Sequence, residues 1–129
     1  MKKLVKKFLK KRLTAHPKNY YFLRWLVSIV ENSNVNREVL RCVVYYTQEN
    51  KINLPFLDIF VIDKDVYIVT ERPGLWIGKA GSIIDGIRKC LNYNLKGEKI
   101  RSFDMNLIED TFSSAEYFNC YRSHILNNY

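Results

Sequence analysis

Between positions 66 and 91 the chain reads VYIVTERPGLWIGKAGSIIDGIRKCL, and no other stretch limits the fold as strongly. The β-branched run at 66–70 predicts a strand. Arg72-Pro73-Gly74 turns the chain, Leu75-Trp76-Ile77 makes a short apolar helical turn, and Gly78-Lys79-Ala80-Gly81 follows. From Ser82 onward, Ile83, Ile84, Ile87 and Leu91 fall at helical spacing, which predicts a second helix over 82–92. Two glycines three apart let the backbone bend sharply between helices, because neither carries a Cβ. They leave N–H groups bare at the start of the second helix, where the helix dipole is positive and a phosphate is well placed. Lys79 adds a mobile cation inside the bend. The physical reading is a clamp for a phosphate backbone.

The flanking segments complete a mixed fold. Leu40, Val43, Val44 and Thr47 predict a helix over 37–48, with Asn34 or Asn36 available to cap it. The run at 56–62 predicts a strand that returns through Asp63-Lys64-Asp65, a turn that needs no glycine if built on a type I geometry. Ile100, Phe103, Met105 and Leu107 predict a last strand over 99–109, and a final helix is expected over 113–127. An apolar content of 47% with 14% aromatic residues supports a folded core in a chain of 129 residues.

An apolar residue ahead of G-x-x-G and another three positions after it, here Ile77 and Ile84, resemble the signature of the KH domain family. The longer string at 72–81 is closer to the type II form, the module carried by a small-subunit ribosomal protein and by the tail of the Era GTPase. The order helix, strand, strand, helix, helix, strand over 37–109 is similar to that form. The resemblance implies an α+β fold with a three-stranded sheet, extra N-terminal helices at 1–36 and a C-terminal helix at 110–129. It also implies a protein that grips single-stranded RNA, or single-stranded DNA, by its backbone while bases lie on an apolar wall. The residues expected to make these contacts are Gly78, Lys79, Ala80, Gly81 and Ser82 in the clamp, with Ile84 on the wall. Trp76 is a candidate stacking residue, and Arg72, Arg88, Lys89 and Arg101 are candidate phosphate contacts. A protein partner within a ribonucleoprotein assembly also fits.

Net charge is +8, and its origin is local: Lys2, Lys3, Lys6, Lys7, Lys10, Lys11 and Arg12 precede any acid, while the rest of the chain is nearly neutral. Leu4, Val5, Phe8 and Leu9 lie on one face of a helix expected over 1–13. Its lysines are read as a solvated face, as auxiliary RNA contacts, or as one side of a membrane-surface helix; its narrow apolar face speaks against membrane contact. His16-Pro17 ends this helix. The next, over 20–30, is apolar nearly all round and is expected to be buried, with Tyr20 and Tyr21 as further candidates for base stacking. An alternative reading is a module that keeps this fold for protein contacts.

Cys42, Cys90 and Cys120 are widely spaced, make no disulfide framework and no metal-ligand pairs, and point to the cytoplasm or another reducing compartment. Two distant histidines and scattered carboxylates form no catalytic constellation, so an enzyme, a metal and a cofactor are not expected.

Overall fold

The computed structural model describes residues 2–16, 20–94 and 103–109. Arg101, the expected start of the last strand and the C-terminal helix lie outside the described residues. The fold is α+β. Five α-helices, α1 (Lys2–Ala15), α2 (Tyr20–Val30), α3 (Ser33–Asn50), α4 (Pro73–Ile77) and α5 (Ser82–Asn94), surround strands β1 (Asp58–Ile62), β2 (Asp65–Thr70) and β3 (Asp104–Glu109). The sheet order is β1-β2-β3, antiparallel between β1 and β2 and parallel between β2 and β3.

The sheet is covered on both faces. Ile59, Val61, Val66 and Ile68 point into one core, shared with α3, α4, α5 and Phe103. Phe60, Ile62, Tyr67 and Val69 point into a second, shared with Leu9 and Leu13 of α1 and Tyr20, Val27 and Val30 of α2. Every residue of β1 is therefore buried, and from Ile59 to Ile62 the strand is apolar without alternation, as expected when both faces are packed. The N-terminal helices form the second layer of the fold.

Helix α3 starts earlier than its periodicity indicates, and its cap is Asn32, whose Oδ1 accepts the Val35 N–H at 3.1 Å. Asn34 and Asn36 do not cap it. Asn36 is buried instead, where its Oδ1 accepts the Val61 N–H at 2.7 Å; the Asn32 N–H donates to the Val61 carbonyl at 2.9 Å. Asp63 in the hairpin turn adopts a left-handed conformation, φ 55°, which a short polar side chain tolerates; the turn is not built from right-handed residues alone.

Helix α2 departs most from expectation. Its inner face is buried, but Trp25 and Ile29 are exposed on the outer one. Arg24, embedded in the apolar run, is 2% exposed. Its Nη2 donates to both Glu31 oxygens at 3.1 and 3.3 Å, its Nε lies 2.8 Å from Asp58 Oδ2, and its guanidinium sits 5.6 Å from the Phe60 ring centroid. Burial pushes the Asp58 carboxyl well above the ordinary carboxylate range, against a smaller opposing influence from the Ile59 backbone. The Phe60 ring stacks between Tyr20 and Tyr67, with centroids 5.6 and 5.0 Å away. Tyr20 is thus a core residue, closed to a base.

Candidate nucleic-acid interface

The clamp region begins with a fixed anchor. Trp76 Nε1 and Thr70 Oγ1 both donate to the Pro55 carbonyl, each at 2.9 Å, and Thr70 Oγ1 accepts the Arg72 N–H at 3.1 Å. These bonds hold α4 against the segment that leads into β1. Trp76 is fully buried, with Phe56 edge-on at 6.2 Å. The sequence expectation that Trp76 stacks on a base is corrected here: its ring fills the core, and the bond to Pro55 satisfies its only donor.

From this anchor the chain enters the bend. Gly78 closes α4 through an N–H to Gly74 carbonyl bond of 3.1 Å and takes φ 70°, ψ −175°. A Cβ there would lie 2.6 Å from Ile83 Cγ1, so Gly78 is required by space as well as by dihedral. Lys79–Gly81 forms a single 3-10 turn in which Ala80, at φ 54° and ψ 31°, is left-handed, and Gly81 follows at φ 76°. An alanine in that region costs about 1 kcal/mol. Lys79 and Ala80 are exposed, and their amides make no hydrogen bond to another described residue. Ser82, also exposed, opens α5 and donates its own N–H to the Lys79 carbonyl.

The charges around the bend are unevenly committed. Arg72, Lys79 and Lys89 are exposed and have no ion-pair partner among the described residues. Arg88 is held by Asp85 of the same helix, N to O 2.5 Å. Asp85 borders the bend, its Oδ2 being 3.9 Å from the position of a Gly81 Cβ, and the Arg88 contact compensates its charge. The apolar flank is split. Ile83 and Ile87 belong to the core side, whereas Ile77 is 45% exposed and Ile84 half-buried, leaving these two to offer an apolar surface next to the bend.

The N-terminal cations sit elsewhere. Helix α1 packs on the opposite face of the sheet from α4 and α5, so its lysines do not extend the track of Lys79. Lys6 and Lys10 hold Asp63 at 2.8 and 3.0 Å, and Lys10 also reaches Asp65 at 3.2 Å. The Lys6 bond is the largest influence that draws the Asp63 carboxyl below its ordinary value. An open cleft of about 390 Å³ is lined by Lys3, Leu4, Lys6, Lys7, Lys10 and Asp63. Lys2, Lys11 and Arg12 are exposed on the same helix.

Among the described residues no group of three His, Cys, Asp or Glu side chains could hold a metal ion, and no helix is long and apolar enough to cross a membrane. Comparison with protein-family models, curated proteins and solved structures gives no match for this chain.

Proposed function

We propose that the protein binds single-stranded RNA through a type II KH-like module, with the bend at Gly78-Lys79-Ala80-Gly81 gripping the sugar–phosphate backbone. The observation that carries this reading is the bend itself. Two exposed residues present uncommitted amides at the head of a 13-residue helix, beside three cations with no acidic partner among the described residues. The helix, strand, strand, helix, helix, strand order from Ser33 to Glu109 supports it. The phosphates lie against Lys79 and the α5 N-terminus, Arg72 and Lys89 extend the positive track, and bases rest on Ile77 and Ile84. Trp76 has no part in the contact. The protein serves as a binding module, alone or within a ribonucleoprotein assembly.

The test is binding of labelled single-stranded RNA, with single-stranded DNA as competitor. Log affinity is expected to fall against log salt with a slope of about −0.7 per phosphate neutralised. Ala80 is already left-handed, a conformation aspartate tolerates, so Lys79→Asp/Ala80→Asp is expected to fold normally and lose binding. Unchanged RNA affinity in a folded double variant overturns the clamp.

A further inference from the structure

We propose that the outer face of the α1–α2 layer docks on an anionic phospholipid surface. The two helices pack on each other and bury Leu9, Leu13, Val27 and Val30 against the sheet. Exposed apolar side chains remain on their outward sides. Leu4 and Phe8, one turn apart on α1, are 72% and 47% exposed; Trp25 and Ile29, one turn apart on α2, are 64% and 49% exposed. A helix already seated on a core gains nothing in water from a second apolar face.

The lysines of α1 are sorted into two rows. Lys6 and Lys10 are turned to the hairpin acids. Lys3, Lys7 and Lys11, spaced one turn apart, are exposed and have no ion-pair partner among the described residues. Lys3 and Lys7 line the same cleft as Leu4, which places ammonium groups beside an apolar side chain in a space large enough for a phosphate headgroup.

This combination selects its occupant by chemistry. An RNA strand would engage the lysines, but α1 and α2 carry no glycine bend to fix its backbone beside Leu4 and Ile29, as the bend at Gly78–Gly81 does beside Ile77 and Ile84. A bilayer interface accommodates all of it: ammonium groups at the headgroups, an indole at the boundary, aliphatic and phenyl groups among the first carbons of the chains. The narrow apolar face of α1 alone argued against membrane contact; α2 adds a second exposed apolar stripe to the same helix layer. The contact lies in the plane of the membrane.

The full chain is mixed with phosphatidylcholine vesicles with and without phosphatidylglycerol, and binding is read by co-sedimentation and by tryptophan emission. The chain has two tryptophans; Trp76 is buried and Trp25 exposed, so a blue shift reports Trp25 entering the interface. Binding to the anionic vesicles with a blue shift is expected. Lys3→Glu/Lys7→Glu/Lys11→Glu is expected to weaken it at least roughly 100-fold, since each basic residue near an anionic surface contributes about fivefold. Trp25→Ala/Ile29→Ser alters only exposed side chains and is expected to weaken it about tenfold or more. Lys79→Asp is expected to leave it unchanged, which separates this surface from the RNA clamp. No anionic-vesicle binding, or binding without a blue shift that survives Trp25→Ala/Ile29→Ser, overturns the proposal. So does loss of RNA affinity in the triple lysine variant of a protein that ignores vesicles, which would assign the face to nucleic acid.

Discussion

Asp58 Oδ2 lies 2.8 Å from Arg24 Nε, and both side chains are closed to solvent. The pair joins the outer helix layer to the edge of the sheet, and Glu31 completes it from the end of α2. Removing the cation strands two carboxylates, whereas removing one carboxylate's charge leaves a polar partner in place. Arg24→Met is therefore expected to cost about 3–5 kcal/mol. Asp58→Asn is expected to cost about 1–3 kcal/mol. Urea denaturation of the two variants checks the order, and equal losses would contradict the arrangement.

The two glycines of the bend are required for different reasons. Each has a positive φ, which penalises a side chain by about 1–2 kcal/mol. Only at Gly78 would a Cβ also meet Ile83, at 2.6 Å, adding about 1–3 kcal/mol of overpacking. Gly78→Ala is expected to lower Tm more than Gly81→Ala, and Ala80→Gly to be neutral or to stabilise by up to about 1 kcal/mol as left-handed strain is relieved. Thermal melts of the three variants decide this.

Trp76 separates stability from binding. Trp76→Phe loses the bond to Pro55 and part of the core volume, and is expected to destabilise by about 1–3 kcal/mol. RNA affinity is expected to be unchanged when measured at a temperature where both proteins are fully folded. A selective loss of affinity would mean that the ring reaches a base after all.

Stability should show an alkaline limb. Burial, with a smaller contribution from the charge of Asp65, pushes the Tyr67 phenol up from 10.0 to about 12. Between those values the unfolded chain has released the proton and the folded one has kept it. The contribution is whole below pH 10.0 and is lost as pH rises towards about 12, an effect on the order of 2 kcal/mol. Tyr67→Phe is expected to flatten that limb in denaturant titrations run across the range.

The part of the fold that could be read from the sequence is the part fixed by local chemistry. Strand β2, the bend and α5 fall where β-branched content, glycine spacing and helical periodicity put them, and the resulting α+β order follows. What escaped was decided at long range. Nothing local shows that the alternate residues of β1 meet α1 and α2, because a strand buried on both faces has no polar phase to read. Arg24 could have been noticed as a charge within an apolar run with Glu31 two turns later, but its second partner, Asp58, lies far along the chain. Trp76 sits in a helix of five residues, too short for periodicity to say which way a ring points. The division of the α1 lysines has the same origin, since Asp63 and Asp65 choose Lys6 and Lys10 only after the sheet has formed.

The outer edge of β1 carries one further consequence. At Val61 both backbone groups that would receive an incoming strand are occupied, the N–H by Asn36 and the carbonyl by Asn32. Fibril growth or strand exchange along this side would first have to peel away the N-terminal turn of α3, and with it the residues that seat that helix on the core. Two asparagines therefore guard the protein against templated self-association at a place where its own strand is apolar from Ile59 to Ile62.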